Sequence, residues 1–174
     1  RRIESLLPLL KNRTRLITNM GAANPIEGAK KIIEIANKQN VKIKVAAVTG
    51  DDVFEKIDHS TLAIETNAPL RHSGDLISAN AYLGMEGILK ALHAGADVVI
   101  TGRVADPSLF LAPMVFEFGW NTGDYDLMGK GTVIGHLLEC AGQVTGGYYA
   151  DPVKKPVEGL DNLGHPFADV SKDG

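Results

Sequence analysis

Apolar and polar positions follow one another along this chain in two rhythms, short β-branched runs and longer stripes at helical spacing. Arg15-Leu16-Ile17-Thr18 reads as a short strand, Val41 to Val48 as a buried strand, and Ala96-Asp97-Val98-Val99-Ile100-Thr101 as the clearest strand. Runs of this length rich in Val and Ile pack well on a pleated surface. Between them, Ile26, Ala29, Ile32, Ile33 and Ala36 recur at the helical period and predict a helix over 25–39. Asn24 suits its N-cap, Pro25 its first position and Glu27 a reciprocal capping contact. Met85, Ile88, Leu89 and Leu92 predict a helix over 80–94 closed by Gly95. Gly84 and Gly87 inside it each cost about 1 kcal/mol against Ala, a cost that makes sense if another backbone or a ligand passes close by. Ile3, Leu6, Leu7 and Leu10 suggest a short N-terminal helix. Asp106-Pro107 opens a helix from Ser108 to Phe118, which Pro113 must bend or break. A last helix spans about 131–142, with Ile134, Leu137, Leu138 and Ala141 as its core face. From Phe54 to Ser78 the periodicity weakens, and Pro69, His72, Ser73 and Gly74 predict a loop.

The order strand, helix, strand, helix, strand, helix predicts an α/β fold, a largely parallel sheet flanked by helices in a three-layer, Rossmann-like arrangement. An arc of a barrel fits the same order. Residues 1–150 are expected to form this core, and 151–174, rich in Pro, Gly and Asp, a loop-rich extension of the same domain. The first residue is not Met, and Ser171-Lys172-Asp173-Gly174 is a turn that leads nowhere. Both features predict a fragment whose missing N- and C-terminal segments cover some of its faces.

At 174 residues and 44% apolar the chain has an ordinary globular composition with room for one proper core. A formal net charge of -3, with Lys and Arg scattered, argues against a nucleic-acid surface or a polybasic membrane patch. Cys140 is the one cysteine, which excludes an internal disulfide framework and makes a reducing, cytoplasmic home the simplest expectation. No apolar run reaches bilayer length, and the first residues do not read as a signal peptide. Self-association is left open.

Candidate chemistry gathers where strands end. Val48-Thr49-Gly50, Ile100-Thr101-Gly102 and Val144-Thr145-Gly146 each run an apolar strand into the same dipeptide. If the first two lie parallel, Asp51, Asp52, Arg103 and Asp106 converge on the carboxyl edge, where open α/β folds bind ligands. Gly21 to Pro25 and Gly102 to Pro107 both have the form of a Gly turn leading into a helix N-terminus, suited to an anion. Arg103 adds a guanidinium fork for a carboxylate or phosphate; the competing reading pairs it with Asp51, Asp52 or Asp106. Asp51 or Asp52 would serve as a general base or bind a divalent ion through carboxylate oxygens, or one would cap the next helix while the other is solvated; adjacent residues point apart, so only one faces a ligand.

His136, Glu139, Cys140 and Gln143 share one stripe of the last helix, either a solvated face or the wall of a cleft in which His136 and Glu139 form an acid–base pair beside Cys140. A zinc site from His136, Glu139 and Cys140 is the weaker alternative, since no second ligand cluster accompanies them, and no metal centre is expected. Asn80, Tyr82 and Glu86 are expected at the start of the middle helix, near the same edge, where they would either position a substrate, Asn80 together with Thr101, or merely cap the helix. Gly146 and Gly147 before Tyr148-Tyr149 suit a hinge or lid. A Walker-type loop and a Gly-x-Gly-x-x-Gly fingerprint are absent, which disfavours classical NTP or NAD binding, and the cofactor is left unknown.

Val48 to Asp52, Ser78 to Gly84, Gly95 through Ala105-Asp106-Pro107-Ser108, and His136-Leu137-Leu138-Glu139-Cys140 through Gln143 to Tyr148 resemble the acyclic terpene utilisation A family, also called a domain of unknown function. The resemblance runs from about Ile17 to Gly174. It implies a link to bacterial breakdown of citronellol and geraniol through acyl-CoA thioesters, and it assigns no role to any residue. Two functions are therefore expected. One is a hydratase- or lyase-like enzyme on an acidic small molecule or acyl-CoA, with Asp51, Asp52, His136 and Glu139 moving protons and Asn80, Thr101, Gly102, Arg103, Asp106 and Cys140 holding the substrate. The other is a non-catalytic subunit partnering a carboxylase or dehydrogenase.

Overall fold

The computed structural model describes residues 2–10 and 14–174. Three strands, β1 (Leu16–Thr18), β2 (Val45–Val48) and β3 (Val98–Thr101), form a parallel sheet in the order β1-β3-β2. The central strand is buried at all four positions, which explains why Val98-Val99-Ile100-Thr101 is an unbroken apolar run. Its side chains alternate between two layers. Val98 and Ile100 pack with Ala29, Ile32 and Ala36 of helix α2 (Pro25–Lys38), and Leu7, just after helix α1 (Arg2–Leu6), joins this layer. Val99 points the other way, toward Ile88, Ala91 and Leu92 of α3 (Glu86–His93) and Ala112 of α4 (Ser108–Phe118). Helices thus cover both faces, and the sheet is an open layer, not an arc of a barrel. Helix α5 (Tyr125–Cys140) packs outside α4 over Leu111, Met114, Val115 and Trp120.

The N-terminus of α2 follows its sequence signals closely. Asn24 Oδ1 accepts from the Glu27 N–H at 3.0 Å with Pro25 at the first turn. The reciprocal contact is not made, because the Glu27 carboxylate turns to Lys30 at 2.7 Å. Of the expected helical face, Ala29, Ile32 and Ala36 are buried, whereas Ile26 and Ile33 lie on the exposed flank.

Several elements differ from the sequence expectation. The middle helix begins at Glu86, since residues 79–83 run extended between two loops: Asp52 bridges Asn80, Leu83 bridges Val104, and Ala81 N–H donates to Asp51 O at 2.7 Å. Backbone groups already paired sideways are not free to close helical turns. Asn80 and Tyr82 therefore precede the helix, and so does Gly84. Gly87 remains inside it, but what passes close is a side chain of β2 and not a backbone or a ligand: a Cβ there would meet Val48 Cγ1 at 2.6 Å. Pairing in β2 starts only at Val45, while Val41 and Ile43 pack against the α2 layer unpaired. Val144-Thr145-Gly146 follows no strand; α5 runs to Cys140, then a 3-10 turn at Ala141–Gln143. That helix begins earlier than expected, because Asp124 Oδ1 caps it by accepting from Leu127 N–H at 3.1 Å. Its tight seats are glycines, Gly131 and Gly135; of the expected core face Ile134 packs in the apolar layer and Leu138 and Ala141 are half-buried, whereas Leu137, 49% exposed, falls outside it. Helix α4 continues through Pro113 and takes no side-chain cap from Asp106. Residues 54–78 form loops with short 3-10 turns, as their weak periodicity indicates. The C-terminal stretch returns to α4 and α5, where Trp120 Nε1 donates to Lys172 O at 2.8 Å and Val170 joins the apolar layer.

Candidate functional site

Parallel pairing aligns Val48 with Thr101, so the loops leaving β2 and β3 emerge side by side at the carboxyl edge. The segment 79–83 lies across them. Asp51 ties the three pieces together. Its Oδ2 accepts from Arg103 N–H at 2.8 Å and from Asn80 Nδ2 at 3.1 Å, and its carbonyl accepts from Ala81 N–H. The residue is only 4% exposed. Gly102 must be glycine here, because the Asp51 carboxylate occupies the space a Cβ would need.

On the solvent side of this knot lies a cleft of about 390 Å³ lined by Asn19, Ala22, Tyr82, Gly102, Arg103, Val104, Asp106 and Glu139. Alternation along the extended segment points Leu83 into the core and Tyr82 outward. The Arg103 guanidinium lies over the Tyr82 ring, 4.8 Å from its centroid, and donates to the Tyr82 hydroxyl. Among the described residues no carboxylate comes within ion-pair distance of it. The competing reading, an Arg103 side chain neutralised by Asp51, Asp52 or Asp106, is therefore not what the structure adopts; Asp51 takes the backbone N–H instead.

Helix α5 supplies the opposite wall. Gly135 lets it sit directly on the entry to α4, where a Cβ would lie 2.8 Å from Pro107 O, and this seat brings Glu139 to the cleft and His136 Nδ1 to 3.9 Å from Asp106 Oδ2. A neighbouring cleft of about 390 Å³ is lined by Ala23, Asp52, Phe54, Glu55, Lys56, Ile77, Ser78 and Asn80, so that the consecutive residues Ala22 and Ala23 line one cleft each.

The structure thus brings Gly102, Arg103, Asp106 and Glu139 to one cleft, sets His136 beside Asp106, and sends Asp52 and Asn80 to the adjoining one. Asp51 and Asp52 do point apart; Asp52 Oδ1 accepts from Phe54 N–H at 3.1 Å as it enters a 3-10 turn. Thr101 lies apart from both clefts: it is fully buried, its hydroxyl donating to Gly102 O at 2.9 Å. Cys140 is half-buried and lines neither cleft, and Glu86 faces a different surface with Leu89 and Thr122. Asn19, Phe54, Lys56 and Ile77 are lining residues that no motif in the sequence singles out, whereas Ala22 and Ala23 belong to the turn 21–25 expected to suit an anion. Tyr82, expected near this edge with Asn80 and Glu86, does line the cleft, although it reaches it from an extended segment and not from a helix. Among the described residues no group of three or more His, Cys, Asp or Glu is placed to hold a metal ion, and no helix is long and apolar enough to cross a membrane.

The fold is that of an open-sheet α/β protein, with a polar, arginine-bearing cleft at the carboxyl edge of its strands. The chain belongs to the acyclic terpene utilisation family: the model for acyclic terpene utilisation family protein AtuA matches residues 1–174, its whole length. The chain matches no curated protein and no solved structure.

Proposed function

We propose that this protein binds an acidic small molecule, a short branched carboxylic acid or its acyl-CoA thioester, in the cleft at the carboxyl edge and acts on it by acid–base chemistry of the hydratase or lyase kind. One observation carries the reading: Arg103 presents a guanidinium with no carboxylate partner among the described residues, steadied by Tyr82, to a cleft that also contains Glu139. A planar fork held on an aromatic face is preorganised for a carboxylate or phosphate. Glu139 reaches the same space and is the candidate to take a proton from the bound acid's carbon skeleton. His136, with Asp106 beside Nδ1, is the candidate to give a proton to a departing hydroxyl, and the reverse pair of transfers would hydrate a double bond. Asp52 and Asn80 would meet the more distant part of the ligand in the adjoining cleft. Membership of the acyclic terpene utilisation family supports a catabolic setting.

Titration of the protein with isovalerate and isovaleryl-CoA tests the reading. Arg103→Met is expected to weaken binding roughly 10- to 100-fold, since hydrogen bonds to charged groups are worth about 1.5–3 kcal/mol. Unchanged affinity would remove Arg103 as the anchor.

A second reading, a non-catalytic subunit partnering a carboxylase or dehydrogenase, draws support from Val133 and Leu137, which stand exposed one turn apart on α5 next to His136. Under it, Leu137→Asp would abolish co-purification of that enzyme without changing isovalerate affinity.

A further inference from the structure

Asp51 is nearly inaccessible, 4% exposed, yet its side chain is tied to both loops that carry the anchor. Arg103 hangs from it through its own backbone N–H, at 2.8 Å from Oδ2. Tyr82 hangs from it through its neighbours, since Asn80 Nδ2 donates to the same oxygen at 3.1 Å and Ala81 N–H donates to the Asp51 carbonyl at 2.7 Å. We propose that Asp51 is a positioning residue of the cleft: its carboxylate fixes the turn that aims Arg103 onto Tyr82, and it does not itself meet the ligand.

Geometry separates this role from that of a general base. A base must come within about 2.6–3.2 Å of the proton it removes. The Asp51 carboxylate instead sits behind the turn, against the α-carbon of Gly102, with Oδ1 only 2.2 Å from where a Cβ would be. Gly102 itself lines the cleft, so main chain stands between carboxylate and ligand. A buried carboxylate is tolerated when donors satisfy it, and a backbone N–H aimed at a charged acceptor is among the stronger such bonds. The charge thereby serves the loop geometry.

This inference rests on Arg103 being the anchor, and the test separates the two claims. Isovalerate affinity is measured by titration calorimetry for the wild type, Asp51→Ala, Asp51→Asn and Arg103→Met, with folding checked by circular dichroism. Asn can still accept from Arg103 N–H and Asn80 through its amide oxygen, so Asp51→Asn is expected to stay within roughly threefold of the wild type while Asp51→Ala loses roughly tenfold or more. Wild-type affinity in Asp51→Ala, or an equal loss in both Asp51 variants, overturns the positioning role. Wild-type affinity in Arg103→Met overturns the anchor and this inference with it. Should Asp51→Ala fail to fold, hydrogen exchange at the Arg103 amide decides. Slow exchange in the wild type that persists in Asp51→Asn supports the role, and fast exchange in the wild type overturns it.

Discussion

The Asp51 carboxylate presses against the α-carbon of Gly102, taking the place of the side chain that any other residue would carry there: a Cβ would lie 2.2 Å from Oδ1 and 2.4 Å from Cγ. Gly102→Ala must therefore push the carboxylate off the Arg103 amide, leaving a buried donor short of its acceptor. A cost of about 1–3 kcal/mol is expected, the penalty of an unsatisfied buried polar group. Urea unfolding of the variant measures it, and wild-type stability would show that Asp51 moves aside without loss.

Tyr82 is 59% exposed, so its contribution should fall on binding far more than on folding. With the guanidinium over its ring, Tyr82→Ala is expected to lower isovalerate affinity roughly 2- to 5-fold, on about 0.5–1 kcal/mol for an exposed cation–π contact. Tyr82→Phe keeps the ring but loses the hydroxyl acceptor and should fall in between. Equal affinity for all three proteins, by titration calorimetry, would show that the ring does not set the Arg103 side chain.

Local chemistry made much of this fold readable. Val98 to Thr101 is β-branched and buried at every position, and Asn24-Pro25 is a cap and first turn that need no tertiary help. The carboxyl-edge position of Asp51 and Arg103 follows from two parallel strands that end in the same dipeptide. What could not be read depended on contacts between distant segments. Residues 80–85 have helix-compatible composition, but Asp52, Asp51 and Val104 capture their backbone groups first. On α5 the apolar signal finds Ile134 and Leu138 but also includes the exposed Leu137, and it overlooks Gly131 and Gly135, the buried seats, because glycine carries no hydrophobic signal. Asp51 was legible as a charged residue at a functional edge; that its charge points inward, to a backbone amide, was not.

Acid should loosen α2 through Glu34. The ammonium groups of Lys31 and Lys38 donate to it at 2.8 Å each and hold its carboxyl at about 2, below the ordinary 4.5. A carboxyl whose folded value is depressed binds protons more readily in the unfolded chain, so its stabilisation is present above pH 4.5 and is lost as the pH falls toward 2. All three groups face solvent, and salt screens them. Glu34→Gln is expected to flatten the acid limb of the stability curve over that window at low ionic strength, with the difference disappearing near about 1 M salt. Circular dichroism melts across pH check this; identical limbs at low salt would mean the pairs do not persist in solution.

Two glycines of α5 should respond in opposite directions to the same substitution. Gly129 has nothing within 4 Å of its Cβ position, so Gly129→Ala adds helix propensity alone and should stabilise by about 0.8–1 kcal/mol. At Gly135 the same methyl would lie 2.8 Å from Pro107 O and 3.1 Å from Pro107 Cα. Backbone cannot rotate out of the way, so α5 must lift from the start of α4, at a cost of about 1–3 kcal/mol that outweighs the propensity gain. Melting temperatures should then separate, by about 2–4 °C for each kcal/mol in a chain of this size. The lift also carries Glu139 away from Arg103, so Gly135→Ala should weaken isovalerate binding while Gly129→Ala leaves it intact. A rise in melting temperature for both variants would show that α5 does not rest on Pro107, and the wall that brings Glu139 to the cleft would lose its support.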